Sequence, residues 1–209
     1  MQEVNLVNLL GRDKTILVDG AHNELGGEAL GHFVDKVVRI DPTTSYNILP
    51  ITWLFAATKT KDARAILQYL LKGGDRVITV EFGPVDGMPF VDPMSSDHLT
   101  SIVQDIMASK NGQVEVKSFG SDIEGALKHA ADIAGEHPMV AAGSLYLVSD
   151  IFRLLKKVNE RPGAVPVEDI WTGEIKREEE KLVSKNKSKG RSGRSAAKPK
   201  ASKKERPKI

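Results

Sequence analysis

Between Thr15 and Lys157, short apolar blocks alternate with stretches in which apolar residues recur every three or four positions. Ile16-Leu17-Val18 has the length and branching of a buried strand, and the residues after it place Leu30, Phe33, Val34, Val37 and Val38 on one helical face. Thr52–Ala57 reads as a second strand, its start set by Pro50. Ala63, Ile66, Leu67, Leu70 and Leu71 mark the helix behind it, stopped by Gly73-Gly74. Arg76–Phe82 is a third strand, and Ser95 or Ser96 caps a helix running to about Ser109. Val114–Lys117 is a short fourth strand, and Ser121-Asp-Ile-Glu124 is a capping box opening a helix to about Gly135. Pro138–Ala142 is a fifth strand, from which Gly143-Ser144 turns into the apolar helix Leu145–Lys157. Five strand–helix alternations predict right-handed crossovers and a mainly parallel sheet covered on both faces, a Rossmann-like three-layer α/β sandwich.

The polar stretches set the boundaries. Met1–Lys14 holds an apolar patch, Val4 to Leu10, and then the polar turn Gly11-Arg12-Asp13-Lys14. Ile40–Asn47 is a loop broken at Asp41-Pro42. Gly83–Pro93, with three prolines and two glycines, is an irregular surface loop. The domain proper spans 15–160. Residues 161–173 form a linker with Pro162 and Pro166, from which Trp171 is placed to pack back. Residues 174–209 are rich in Lys, Ser, Gly, Arg, Ala and Pro and have almost no apolar side chains, so they are expected to be a disordered basic tail.

Charge sharpens that division. The net charge of +2 over 209 residues conceals two regimes: 174–209 carries 14 Lys+Arg against 5 Asp+Glu, a balance of +9. The remainder carries 16 against 23, or −7. The basic cluster Lys198-Pro-Lys-Ala-Ser-Lys-Lys would suit acidic surfaces, nucleic acid or a nuclear import receptor, or would simply be solvated. It has no aromatic interleaving to suggest base stacking. The absence of cysteine excludes disulfides and thiolate metal sites and makes a reducing compartment natural. No apolar run reaches membrane-spanning length, and Met1–Leu10 is too short and too acidic for a signal peptide. The expectation is a cytoplasmic protein, with the mitochondrion as the alternative.

Candidate chemistry concentrates where the first strand ends. Asp19 closes it, Gly20 lets the backbone turn, His22 follows, and Asn23 is a helix N-cap with Glu24 in the first turn. In open α/β sheets ligands collect in the crevice beyond the carboxyl ends of the strands. By spacing alone, Asp19 and Asn23 are equally ordinary turn formers and His22 a partly exposed loop residue. No Gly-x-Gly-x-x-Gly follows any strand, which disfavours a dehydrogenase. The five histidines show no metal-ligand spacing, so no metal site is expected on this chain.

Three places lie in a telling order: Asp19-Gly20-Ala21-His22-Asn23 after the first strand, Lys59-Thr60-Lys61-Asp62 after the second, and Gly143-Ser144-Leu145-Tyr146-Leu147-Val148 after the fifth. In them the chain resembles the C-terminal domain of folylpolyglutamate and dihydrofolate synthases, ATP-dependent amide ligases related to the Mur ligases. With the element order, the likeness covers Thr15–Lys157, about two thirds of the chain. The resemblance implies a Mur-ligase-type C-terminal domain at 15–160, with 1–14 the remnant of an interdomain segment. It implies an acid–amino-acid ligase that adds glutamate to a pteroate or folate carboxylate through an acyl phosphate formed from ATP. Carried over by motif, Asp19 would meet the ATP ribose, His22 the phosphate side, and Asn23 would complete the nucleotide contacts. His22 and Ser144 would be the catalytic positions, with Ser144 helping to place the amino acid at a helix N-terminus. Lys61 and Asp62 would serve domain closure.

The departures matter equally. No Gly-x-x-x-x-Gly-Lys-[Ser/Thr] is present, so the phosphate-cradling loop, the Mg²⁺ ligands and the folate pocket belong to an absent N-terminal domain. Glu24 stands where the family usually has proline, and Arg12, only seven residues before Asp19, is too close to inherit an adenine-stacking role. The resemblance therefore implies a detached C-terminal half, from a truncated gene model, a split gene or a pseudoenzyme, inactive alone, and it does not separate dihydrofolate synthesis from polyglutamate extension. The alternative is a non-catalytic Rossmann-like remnant binding nucleic acid or an acidic partner through its tail.

Overall fold

A computed structural model describes residues 1–41 and 48–166. Six strands form one sheet: β1 (Gln2–Asn5), β2 (Thr15–Val18), β3 (Thr52–Phe55), β4 (Arg76–Thr79), β5 (Glu115–Ser118) and β6 (Met139–Ala142). Their spatial order is β1-β2-β6-β3-β4-β5. Every pairing is parallel except β1 with β2, where Gln2 lies opposite Val18 and Asn5 opposite Thr15. The helices are α1 (Val7–Leu10), α2 (Glu24–Phe33), α3 (Ala63–Leu70), α4 (Ser96–Ser109), α5 (Ile123–Ala134) and α6 (Leu145–Asn159). The α/β sandwich expected from the alternation is the one observed.

Burial follows the alternation of side chains across a pleated sheet. Leu54, Ile78 and Ala141 face a core closed by residues of α1, α5 and α6, whereas Trp53, Phe55, Val77 and Val140 face one closed by α2, α3 and α4. The central strands β3 and β6 are buried at all four positions, as a parallel strand covered on both faces must be, while β5 alternates exposed and half-buried at its edge.

Three features differ from the sequence reading, each for a physical reason. The sheet begins at Gln2: the first 14 residues contribute β1 and α1, the latter ended by Gly11 at φ 70°. An apolar patch of this length carries no information about its distant partner strand. At α5 the cap is Asp122, whose Oδ1 accepts from the Gly125 N–H at 2.8 Å, while Glu124 pairs with Lys128 instead of reaching back to Ser121. Beyond Phe33, helix α2 widens into a π-turn over Val34–Val38, with the Arg39 N–H bonded to the Val34 carbonyl. That extra residue shifts the face, so Val37 is 57 % exposed and Arg39 is carried inside. The expectations of a disordered tail at 174–209 and a packed Trp171 lie outside the described residues.

The inward turn of Arg39 builds the buried polar centre of the domain. Its two terminal nitrogens each donate to one oxygen of Asp75 at 2.6 Å, and one of them also donates to the Leu70 carbonyl at 3.0 Å. Asp75 further accepts from the N–H groups of Ile51 and Lys72 and from the Trp53 indole at 2.9, 3.1 and 2.9 Å. Both side chains are essentially without solvent contact. A bidentate guanidinium–carboxylate pair with its remaining positions filled is the arrangement in which buried charges are tolerated. Removing one partner leaves the other charged and unpaired, so Arg39→Met is expected to lose about 3–5 kcal/mol in urea unfolding. Arg39→Met combined with Asp75→Leu should not regain it, because three other donors onto Asp75 are then orphaned. A near-neutral double variant would overturn this account.

Candidate functional site

The site grows from the carboxyl ends of β2, β6 and β3, which are neighbours in the sheet. The chain leaves β2 through Asp19-Gly20, β6 through Gly143-Ser144, and β3 through Ala56, Ala57 and Thr58. Glycine is required at one of these exits and closely approached at another. Gly143 has φ 100°, and a Cβ there would run into the Ala56 carbonyl and the Phe55 ring; a Cβ on Gly20 would strike the Leu145 side chain. Gly143 thus lies directly against the backbone that leaves β3, and Gly20 against the Leu145 side chain.

Around these exits lies a cleft of about 400 Å³ lined by His22, Lys61, Phe90, Asp92 and Ser144, among others. His22 Nδ1 lies 2.9 Å from the Gly20 carbonyl. A carbonyl only accepts, so this nitrogen carries the proton and Nε2 is left for a ligand. Ser144 caps α6: its Oγ accepts from the Tyr146 N–H at 3.1 Å, and the residue is 2 % exposed. Its position in the wall is thus set by helix capping.

Two expected contacts lie at the margin. Asp19 Oδ1 accepts from the Ala21 N–H at 2.8 Å and Oδ2 lies 3.1 Å from the Met1 nitrogen, so the carboxylate holds the turn behind His22. Asn23 Oδ1 accepts from the Gly26 N–H at 2.8 Å, capping α2. Glu24 is the first residue of α2, a position where proline is also at home, and its carboxylate accepts from the Tyr69 hydroxyl at 3.1 Å. That carboxylate pushes the Tyr69 phenol above its ordinary range, chiefly through the hydrogen bond. Asp62 caps α3 by accepting from the Ala65 N–H at 3.0 Å, which leaves Lys61 as the charged member of its pair in the cleft wall.

The sequence reading passed over the far wall, which belongs to residues 83–93. The loop is tied at both ends. The Lys59 N–H donates to the Asp92 carbonyl and the Met94 N–H to the Ala57 carbonyl, at 2.9 and 2.8 Å. The Gly83 N–H donates to Asp150 Oδ2 at 2.7 Å. Its composition identifies a loop; nothing in composition says that Phe90 and Asp92 reach the same cleft as Ser144. Among the described residues no group of three or more His, Asp or Glu is placed to hold a metal ion.

A family model described as "Dihydrofolate synthetase, C-terminal domain" matches residues 2–154. The probable dihydrofolate synthetase of Schizosaccharomyces pombe is 30 % identical over 141 residues, which cover 68 % of this chain and 31 % of that protein. The dihydrofolate synthetase of Saccharomyces cerevisiae is 29 % identical over 145 residues, again 68 % and 31 %. Among solved structures, Escherichia coli FolC in complex with ADP, without folate substrate, aligns with a TM-score of 0.53 at 14 % identity, over 70 % of this chain and 30 % of that one, and shows a shared fold. The chain spans about a third of the curated relatives' length.

If Ser144 is above all a cap, Ser144→Ala costs about 1 kcal/mol in urea unfolding and Ser144→Gly only a few tenths. Equal losses in the two variants would remove the capping explanation.

Proposed function

We propose that this chain, which belongs to the family of dihydrofolate synthetase C-terminal domains, is the nucleotide- and amino-acid-facing part of an ATP-dependent ligase joining glutamate to a pteroate or folate carboxylate. The observation that supports this most directly is the convergence of His22, Lys61 and Ser144 on one cleft at the carboxyl ends of β2, β3 and β6. The three sequence motifs thus meet in space.

In this reading the γ-phosphoryl group of ATP passes to a carboxylate oxygen of the acyl donor, giving an acyl phosphate and ADP. The amine of glutamate then attacks the acyl carbon, the C–O bond breaks to release inorganic phosphate, and the nitrogen gives up a proton to that phosphate or to water as the amide forms. No protein nucleophile is needed, so the chain's work is to orient and to balance charge. His22 Nε2 would meet the phosphate oxygens, with the ring held by the Gly20 carbonyl. Asp19, fixed by Ala21, would turn an oxygen toward the ribose hydroxyls, and Asn23 would keep the start of α2 behind them. Lys61 and Ser144 would hold the amino-acid side of the cleft. Mg²⁺, which such phosphoryl transfer employs to neutralise phosphate charge, finds no cluster of three acidic or imidazole ligands among the described residues. Its ligands would then lie on the upstream part that the longer relatives carry and this chain does not span.

Joined to the upstream two thirds of the S. pombe relative, the chain should release ADP in a dihydropteroate- and glutamate-dependent manner, and alone it should not. His22→Ala in the chimera is expected to lower the rate about 10- to 100-fold, the scale of one lost charge-stabilising contact. Turnover by the isolated chain would overturn its incompleteness, and a folded chimera that releases no ADP, or one indifferent to His22→Ala, would overturn the assignment.

A further inference from the structure

We infer that Asp92 receives the α-ammonium group of the amino-acid substrate while Lys61 faces one of its carboxylates, so that the cleft selects a zwitterion. This rests on the ligase reading above, which puts the amino acid beside Lys61 and Ser144. Asp92 is the only carboxylate in the cleft wall and Lys61 the only lysine. Both side chains are exposed, and among the described residues neither makes an ion pair or a side-chain hydrogen bond. They are nevertheless held in place through the backbone. The Lys59 N–H donates to the Asp92 carbonyl at 2.9 Å and the Met94 N–H to the Ala57 carbonyl at 2.8 Å, with Thr58 and Pro93 bridged between them. The Lys61 N–H closes a turn onto the Thr58 carbonyl at 3.0 Å. Ahead of Asp92, Val91 packs onto the core and Met88 Sδ accepts from the Tyr146 hydroxyl at 3.8 Å. Acid and base thus stand on one anchored ribbon at the exit of β3, and they do not pair with each other.

A carboxylate in this wall works against every anionic group of the proposed reaction, because like charges placed together across a binding surface cost affinity. The phosphates of ATP, the acyl carboxylate and both carboxylates of glutamate are all of that sign. His22, also in the wall, is assigned above to phosphate. The charge that suits Asp92 is an ammonium, whose three N–H groups it can meet with charge-assisted hydrogen bonds. A divalent cation at Asp92 would be opposed by Lys61 and by Lys59, which lines an adjoining hollow together with Asp92 and His98. An α-amino acid brings its own carboxylate, which those lysines attract. A ligand carrying both signs therefore satisfies the acid and the base at once.

The test is an amide-resonance titration of the full ¹⁵N-labelled chain with L-glutamate and, in parallel, with glutarate, the same diacid without the ammonium. The expected result is that both shift Lys61 and that glutamate also shifts Asp92, binding about fivefold more tightly, the upper scale of an exposed ion pair. Asp92→Asn should bring the two affinities together. Lys61→Gln should weaken both ligands and leave their ratio standing. The Asp92 carboxylate is exposed and the ribbon is held by its backbone carbonyl, so Asp92→Asn should leave the other resonances of the free protein in place. Equal binding of glutamate and glutarate by the wild type overturns the inference, as does a preference that survives Asp92→Asn. A cleft that shifts with Mg²⁺ and not with glutamate overturns it too. Any of these results beside a chimera that still releases ADP leaves the ligase reading standing, and a chimera that releases none loses both.

Discussion

The ion pair between Arg39 and Asp75 is the constraint on which the positions of the other parts depend. Asp75 precedes β4, Ile51 precedes β3 and Trp53 lies in it, and Leu70 ends α3 with Lys72 just beyond. One carboxylate and one guanidinium therefore fix two central strands and a helix end at the amino-terminal edge of the sheet. Arg39 itself stands at the end of the π-turn that continues α2. Both α2 and α3 begin at the opposite edge, capped by Asn23 and Asp62, and both finish on the buried pair. Each is a strut running from the polar centre to the rim of the cleft. Close packing keeps them parallel partners: a Cβ on Gly27 would press on Ile66, and one on Gly31 would meet the Tyr69 carbonyl at 2.6 Å.

This division of labour places stiffness and chemistry at different ends. At the carboxyl edge the backbone carries the geometry, because Gly20 and Gly143 leave room for neighbouring loops to touch and Ser144 is locked by its cap. The ionisable side chains that line the cleft there, Lys61, Asp92 and His22, are exposed. The charged pair that fixes the fold is buried and fully partnered, as buried charges must be.

How much of this was legible follows from the range over which each signal acts. The strand runs, the caps at Asn23 and Ser95, and the glycine exits are decided within a few residues, and the sequence displays them openly. The partnership of Arg39 with Asp75 is set across 36 residues, and an Asp after Gly-Gly reads as a turn former wherever its partner lies. The same holds for β1, whose pairing with β2 is a tertiary choice, and for Val37, which a regular helical period puts on the buried face and a π-turn moves off it. Motif order exposed His22 and Ser144 because their spacing from a strand end is local. The wall made by 83–93 stayed hidden because irregular loops carry no periodicity.

Both faces of the sheet are closed by helices, yet the cleft is walled on one side by an exposed phenylalanine and a charged loop. A self-sufficient core and an unfinished site are what a domain needs if it contributes half of a reaction chamber. The amide formation proposed above would suit such a division, since its phosphoryl donor and its nucleophilic amine would both arrive as substrates. In that proposal the domain would need only to present fixed dipoles, a cation and an apolar wall at the correct distance. Those are the groups that β2, β3, β6 and the 83–93 loop deliver, and the buried pair at the other edge is what keeps them there.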